Sequence, residues 1–135
     1  MPAPTDPTPE GQGKGSVLAV DDCATTREVM RASLEHLGYS VHAVDSGFAA
    51  LEAVEQTAFD AIVLDVEMPG MDGRAVGHAL RRHPRAAQAV IAMHSSVDEA
   101  AVRAGFAAYD AFVPKADDPR ALGECVDSLI RRRRR

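Results

Sequence analysis

Short apolar runs alternate along this chain with segments whose apolar residues recur at helical spacing, and this alternation is the strongest constraint on its fold. The apolar runs are Val17–Val20, Tyr39–Val44, Ala61–Leu64, Val90–Met93 and Ala111–Val113. Runs this short and this apolar are typical of strands that are buried on both faces of a parallel sheet. The intervening segments then form crossover helices, so the sequence predicts a doubly wound α/β domain of five parallel strands and five helices.

The helical segments carry recognisable start and stop residues. The predicted helices are Thr25–Leu37, a second helix capped by Ser46, Arg74–Arg82, Asp98–Phe106, and a last helix opened by Asp118 and Pro119. In the second helix Phe48, Leu51 and Val54 share one face, which we expect to be buried. Right-handed crossovers favour the flavodoxin-like strand order 2-1-3-4-5, although periodicity alone does not fix that order.

The 135 residues suit one domain with a short segment at each end. Residues 1–15 contain four prolines and three glycines, so we expect a disordered leader there. Residues 16–130 form the predicted domain, and residues 131–135 form a basic tail. No apolar run approaches the roughly 20 residues of a membrane span, and we expect a cytoplasmic protein. Cys23 and Cys125 are far apart and are expected to be free thiols.

Charge is distributed unevenly along the chain. All 20 acidic residues precede Arg131, whereas five of the 15 basic residues form the tail. An acidic domain argues against a nucleic-acid partner, because such partners select basic surfaces. The tail could bind an acidic partner, RNA or anionic lipid, or it could simply be the solvated end of the last helix.

Acidic residues directly follow two of the apolar runs. Asp21 and Asp22 come after the first run, and Asp65 comes after the third. In the predicted strand order these runs are neighbours, so the three carboxylates should meet at one edge of the sheet. Three carboxylates so close together repel one another unless they hold a cation or a proton. Hard oxygen ligands without cysteine or histidine favour Mg²⁺ or Mn²⁺, and such a site suits phosphoryl chemistry.

Other polar residues follow the remaining runs at the same predicted edge. Lys115 comes after the fifth run, where it could pair with Asp65 and later with a bound phosphoryl group. His94 and Ser95 follow the fourth run. A serine hydroxyl at that position can donate a hydrogen bond to a phosphoryl oxygen, and a histidine there is more often structural than catalytic.

Taken together, these residues resemble the receiver domain of two-component signalling, the phosphoacceptor module of response regulators. The resemblance covers about residues 16–131. It rests on the acidic pair, on Leu64-Asp65 with the following loop, on the hydroxyl after the fourth strand and on Lys115; that loop reads Met68-Pro69-Gly70-Met71-Asp72-Gly73.

The resemblance implies a role for each of these residues. Asp65 is then the phosphoacceptor, and Lys115 contacts the phosphoryl group. Asp21, Asp22 and the backbone carbonyl of Glu67 would hold Mg²⁺ together with Asp65. The family's switch also uses a hydroxyl after the fourth strand and an aromatic residue three positions before the lysine, which here is Phe112.

Three departures from the family pattern are visible. Counting thirty residues on from Asp65 gives Ser95 as the switch hydroxyl, whereas matching the apolar pattern of the strand gives His94; we prefer Ser95 because it supplies the hydroxyl. Ala116 stands where the family usually has a proline in a cis bond. Glu67 places an acid two residues past the acceptor, where we expect it to alter the lifetime of the phosphorylated state.

The implied function is that of a response regulator, either a single-domain protein or a piece of a longer chain, which is not an enzyme beyond phosphorylation and dephosphorylation of its own Asp65. It would receive the phosphoryl group from a histidine kinase or phosphotransfer protein and act on a downstream protein target. We expect a monomer or a weak dimer through the face formed by the fourth helix, fifth strand and fifth helix. The alternatives are a receiver-like docking platform that does not switch, and a haloacid dehalogenase-type phosphohydrolase, which would want aspartate where the chain has Glu67.

Overall fold

The computed structural model describes residues 14–68 and 70–134 as an alternation of strands and helices. The strands are β1 (Ser16–Val20), β2 (Ser40–Val44), β3 (Ala61–Leu64), β4 (Val90–Ser95) and β5 (Ala111–Pro114). The helices are α1 (Ala24–His36), α2 (Gly47–Gln56), α3 (Gly73–Arg82), α4 (Glu99–Gly105) and α5 (Pro119–Arg133). Every predicted strand and helix is present, with boundaries shifted by one or two residues.

The five strands form one parallel sheet in the order β2-β1-β3-β4-β5, which confirms the predicted fold. Successive side chains of a strand face opposite sides of the sheet, so each strand contributes to two cores. One core, typified by Leu18, Ile62 and Met93, lies on the side of α2, α3 and α4. The other, typified by Val63 and Leu34, lies on the side of α1 and α5.

The predicted helix ends are confirmed by their local hydrogen bonds. The Ser46 hydroxyl accepts from the Ala49 N–H at 3.1 Å, and the Asp118 carboxylate accepts from the Arg120 N–H at 2.9 Å. Each side chain satisfies an N–H group that has no partner inside its helix. Gly38 has a φ of 100°, a left-handed conformation that glycine adopts at little cost when it ends a helix.

The prediction for the buried face of α2 is wrong at Phe48, whose surface is 63% exposed. Helix α2 packs against the domain through a face of mostly small residues instead; the buried residues are Gly47, Ala50, Ala53 and Val54. A Cβ atom on Gly47 would lie 2.5 Å from Cγ2 of Val76, so glycine lets α2 approach α3 closely. Because Phe48 follows Gly47 in the helix, this seating turns Phe48 toward solvent.

Strand β4 is two residues longer than predicted, and it includes both His94 and Ser95. Both side chains are therefore held within a paired strand and not in a loop. Their position matters for the site described below, since neighbouring strand residues face opposite sides of the sheet.

The two end segments behave differently. The predicted leader falls mainly on residues 1–13, which lie outside the described residues. Arg131–Arg133 continue α5, so this part of the basic tail is helical.

Cys23 and Cys125 are free thiols, as predicted. None of the helices in the described part of the chain is both long and apolar enough to cross a membrane.

Candidate functional site

Three aspartates meet at the carboxyl edge of the sheet. The strand register pairs Val20 with Leu64, so the residues that follow them, Asp21 and Asp65, lie side by side. Asp65 is tied to β1 by its N–H, which donates to the Val20 carbonyl at 3.0 Å. Both aspartates are buried, whereas Asp22 is exposed. Carboxylate oxygens of all three lie within 4.8 Å of one another, so the expected convergence is present.

Lys115 bridges the two buried aspartates. Its Nζ lies 2.8 Å from Asp21 Oδ2 and 3.1 Å from Asp65 Oδ1. The lysine is positioned by β5, and its own N–H donates to the Ser95 carbonyl at 2.9 Å. Burial opposes the charged form of Lys115, but the hydrogen bond from Lys115 to Asp21 and the charges of both carboxylates outweigh burial and raise its pKa. The lysine is therefore held in its charged form beside the aspartates.

Asp65 is the aspartate whose proton affinity is most disturbed. Burial, and then the negative charge of Asp21, raise the pKa of Asp65 to about 6, while Lys115 pulls in the opposite direction. The carboxyl group of Asp65 is therefore mostly ionised at neutral pH. A buried carboxylate with a perturbed pKa beside a lysine is typical of a reactive position.

The donor set fits a hard divalent cation. All three side chains offer carboxylate oxygens, which are the ligands that Mg²⁺ and Mn²⁺ prefer. Among the described residues, no group hydrogen-bonds Asp65 Oδ2, although this atom is buried. A buried carboxylate oxygen without a partner is costly, and coordination of a cation would remove that cost.

Glu67 lies in the loop after β3 and connects it to the loop after β4. Its N–H donates to Asp65 Oδ1 at 3.3 Å, and its side-chain Oε1 accepts from the Ser96 hydroxyl at 3.2 Å. Ser96 was not singled out by the sequence, because nothing local signals a contact between residues on different loops. The Glu67–Ser96 hydrogen bond lies beside Asp65, where it can limit the movement of both loops.

His94 and Ser95 face opposite sides of the sheet. Met93 pairs with Phe112, so Ser95, two residues further along β4, shares the face of Phe112. Ser95, Phe112 and Lys115 line one cleft, and the Ser95 hydroxyl accepts from the Val97 N–H at 2.9 Å. Ser95 therefore shares its cleft with the predicted switch aromatic as well as with Lys115, and the cleft shared with Phe112 favours Ser95 over His94 for the hydroxyl role.

His94 points instead toward the side of α1 and α5. It lines a cavity of about 150 Å³ together with Met30, Leu122 and Lys115. Its surface is 8% exposed, and within the described residues its Nδ1 has no hydrogen-bond partner. Burial, and then the charge of Lys115, lower the pKa of His94 to about 4, so the imidazole is neutral at pH 7.

Phe112 is partly buried and packs at the edge of the core on the α4 side. Its ring centroid lies 6.4 Å from that of Tyr109, whose hydroxyl donates to Glu99 Oε2 on α4 at 2.6 Å. The aromatic residue of β5 is thus linked through Tyr109 to α4. The sequence offered no signal for Tyr109, which lies in the loop before β5.

The Lys115–Ala116 peptide is trans, as are all peptide bonds of the described residues. The proline that this family usually has after the lysine is replaced by Ala116, and the peptide bond at this position is an ordinary trans bond.

Arg27 is a further residue that the sequence analysis did not identify. Its Nη1 donates to the Asp21 carbonyl at 2.8 Å and so anchors the loop that carries Asp22.

A family model described as the response regulator receiver domain matches residues 17–127. Among curated proteins, the chain is similar to the sensor protein GacS of Pseudomonas syringae pv. syringae, with 48% identity over 65 residues. The aligned segment is 48% of this chain and 7% of that protein, so the chain spans a small part of this relative's length.

Solved structures of response regulators are similar to this protein over most of the chain. The chemotaxis response regulator CheY4 of Vibrio cholerae is similar at 26% identity and a TM-score of 0.78, over 84% of this chain and 97% of that one. The response regulator TrrA of Thermotoga maritima, solved in complex with Mg²⁺ and BeF, is 28% identical with a TM-score of 0.76, over the same shares of the two chains.

Proposed function

Because the chain belongs to the response regulator receiver domain family, we propose that it is a phosphorylation switch in which Asp65 accepts the phosphoryl group. Receiver domains are signalling modules and not true catalysts. The observation that carries the proposal is the contact of Lys115 Nζ with both Asp21 and Asp65. A cation held between two buried carboxylates can stay with Asp65 while the negative oxygens of a phosphoryl group arrive.

Transfer begins with attack by a carboxylate oxygen of Asp65 on the phosphorus of a phosphohistidine. The new O–P bond forms as the P–N bond breaks, and the imidazole leaves with the electron pair of that bond. Lys115 stabilises the negative charge on the transferred oxygens. Asp21, Asp22, Asp65 and the Glu67 carbonyl would hold Mg²⁺, which when bound neutralises charge on the phosphoryl oxygens. Hydrolysis of the acyl phosphate by water returns the carboxylate and releases inorganic phosphate.

The signal leaves the site through β4 and β5. The Ser95 hydroxyl can turn away from the Val97 N–H to donate to a phosphoryl oxygen, and Phe112 can then move into the cleft that both line. This movement repacks the face formed by α4, β5 and α5, which is the protein-binding surface of the proposal. The extent of the shift is limited by how differently the phosphoryl group interacts with the two arrangements.

The proposed partners follow from the chemistry. The donor is a histidine kinase or a phosphotransfer protein, since a phosphohistidine supplies the phosphoryl group. The target is a protein, because the domain that precedes the arginine tail is acidic. We propose a monomer or a weak dimer through the α4, β5 and α5 face. The complex of the similar TrrA with Mg²⁺ and BeF supports the cation and the phosphoryl mimic as probes for this chain.

The acceptor is tested by labelling with a small acyl phosphate donor in the presence of Mg²⁺, read by intact-mass spectrometry. We expect one phosphoryl group on the unchanged protein and none on Asp65→Asn. Asp45→Asn is the matched control, because Asp45 directly follows β2 as Asp65 follows β3, but it is exposed. Labelling of Asp65→Asn at the level of the control would contradict the acceptor assignment.

The alternative of a docking platform that does not switch is tested with beryllofluoride, which mimics the phosphoryl group. Switching predicts that Mg²⁺ and beryllofluoride together change the NMR signals of Phe112 and α4. Binding of the mimic without any change at these residues would favour the platform.

A further inference from the structure

One face of α3 carries three long donor side chains, Arg74, His78 and Arg81. Their spacing along the helix, four and then three residues, places them on one face. The buried residues of α3 occupy a different face; they are Gly73, Val76, Gly77 and Leu80. We call Arg74, His78 and Arg81 the α3 clamp, because all three reach backbone carbonyls in or just after α4.

Each clamp residue contacts a different point of the α4 segment. Arg74 Nη1 donates to the Ala101 carbonyl at 3.2 Å, within α4. His78 Nε2 lies 2.7 Å from the carbonyl of Gly105, the last residue of α4. Arg81 Nε donates to the Ala108 carbonyl at 2.7 Å, in the loop that leads to β5. The clamp therefore contacts the middle of α4, its last residue and the loop that connects α4 to β5.

Close packing accompanies these hydrogen bonds. A Cβ atom on Gly77 would lie 2.6 Å from Cε2 of Phe106, and one on Gly105 would lie 2.6 Å from Cδ of Arg74. The His78 ring meets the buried Phe106 ring edge-on, with centroids 5.1 Å apart. Glycine at both positions lets α3 and the end of α4 approach closely, so the clamp contacts are built into the packing.

The helix that the clamp holds has few other attachments. α4 is seven residues long, and of these Val102 is the buried one. Helices this short are not stable by themselves, and their last carbonyls have no partners inside the helix. The Gly105 carbonyl is such a group, and His78 supplies its partner. The position of α4 therefore depends on contacts with α3.

The clamp also begins close to the phosphorylation site. Asp72, in the loop that follows Asp65, caps α3 and accepts from Arg74 Nη2 at 2.7 Å. This ion pair fixes the guanidinium that reaches Ala101. The loop carrying the acceptor and the helix of the proposed output surface are thus joined through Asp72 and Arg74.

We propose that the α3 clamp stabilises the arrangement of α4 described above and opposes its rearrangement on phosphorylation. The switching part of this inference rests on the proposed function, whereas the restraint of α4 does not. Any rearrangement that moves α4 relative to α3 must break the clamp hydrogen bonds. The clamp then sets how much of the free energy of phosphoryl binding is needed to switch the domain.

The restraint is tested by hydrogen exchange of the α4 amides in the full chain without any phosphoryl mimic. We expect about tenfold faster exchange in His78→Ala, in line with the loss of one hydrogen bond and its ring contact. Amides of α1 should be unaffected. His78→Gln should restore slow exchange, because the glutamine amide can donate to Gly105. Arg82→Ala is the control, since Arg82 is an exposed residue of the same helix outside the clamp, and it should leave the exchange of the α4 amides unchanged.

The switching part is tested by titrating beryllofluoride at fixed Mg²⁺. We expect the half-saturating concentration to fall about threefold to tenfold in Arg74→Ala and His78→Ala, since less free energy opposes the bound arrangement. Unchanged or weaker binding in variants with faster exchange would overturn the switching role. Unchanged exchange would overturn the clamp itself. Failure of the unchanged protein to bind the mimic would contradict the proposed function, and the exchange result would still stand.

If His78→Ala does not fold, as judged by circular dichroism, Arg74→Gln serves as the milder variant. Its side chain keeps a donor but cannot pair with Asp72 and Ala101 together. We expect exchange of the α4 amides to rise about threefold in this variant. Exchange equal to that of the unchanged protein would again overturn the clamp.

Discussion

At the scale of single residues, Asp65 combines two properties that oppose each other. Its burial and the neighbouring Asp21 make the charged form costly, while the proposed attack on phosphorus requires that form. Lys115 resolves the conflict by keeping the carboxylate mostly ionised at neutral pH. The buried carboxylates thus destabilise the folded protein, and a divalent cation that coordinates them would remove part of this destabilisation.

This balance predicts a pH dependence of stability with a definite sign. The pKa of Asp65 is about 6 in the folded protein against an ordinary 3.8, so between these values the folded state binds more protons than the unfolded chain. Stability contributed by Asp65 therefore falls as the pH rises from about 4 to about 6, and it remains low above that range.

Replacing Asp65 with Asn removes this effect. We expect Asp65→Asn to raise the free energy of unfolding at pH 7 by about 1–3 kcal/mol, with the gain shrinking as the pH falls toward 4. Urea unfolding at several pH values measures it, with Asp45→Asn as the exposed control. A gain that is the same at pH 4 and pH 7 would contradict the linkage.

At the scale of elements, the end of β4 separates two functions by alternation alone. Ser95 faces the cleft with Phe112, and His94 faces the cavity beside α1 and α5. One residue of difference in a strand moves a side chain to the other side of the sheet. The apolar pattern and the thirty-residue count gave residues that differ by one position, and the strand places these two side chains on opposite faces.

Replacing His94 with an apolar residue should increase the free energy of unfolding of the domain. A neutral imidazole buried with an unpartnered Nδ1 costs about 1–3 kcal/mol, and leucine would fill the same apolar surroundings without that cost. We expect His94→Leu to raise the free energy of unfolding by about 1–2 kcal/mol at pH 7.

The gain should widen below pH 6.5, because the folded protein resists protonation of His94 while the unfolded chain does not. Urea unfolding measures both effects, and His42→Leu is the control because His42 is exposed on β2. A loss of stability in His94→Leu would show that His94 makes a stabilising contact.

At the scale of the whole molecule, the arginine tail is partly neutralised by the domain. Arg131 Nη2 lies 2.8 Å from Asp127 Oδ2, Arg133 Nη2 lies 3.6 Å from Asp110 Oδ1, and Arg134 Nη2 lies 3.3 Å from Asp60 Oδ1. Several of these arginines are thus engaged with acids of the domain, which supports a protein target over a nucleic acid.

These ion pairs are mostly exposed, so their contribution should be small and screened by salt. We expect the double substitution Arg133→Gln and Arg134→Gln to lower the free energy of unfolding by less than about 1 kcal/mol, and the difference to vanish in molar salt. Arg132→Gln is the control on the same helix. A difference that survives molar salt would point to packing of these side chains and not to their charge.

Local patterns in the chain were enough to predict the elements and the edge at which the aspartates meet. Apolar runs, caps and turn residues act over a few neighbours, so the sequence carries them directly. Phe48 escaped this reasoning because helical periodicity does not say which face a neighbouring helix covers, and Gly47 decided that by allowing contact with Val76.

By itself the sequence determined the alternation of strands and helices, the capped helix ends and the aspartates at the ends of β1 and β3. The tertiary structure alone decided the second contact of Lys115, with Asp21, the Glu67–Ser96 contact, the opposite faces of His94 and Ser95 and the α3 clamp. The physical reason is range: periodicity and capping depend on nearby residues, whereas these contacts depend on register and on close packing between elements that are distant in the chain.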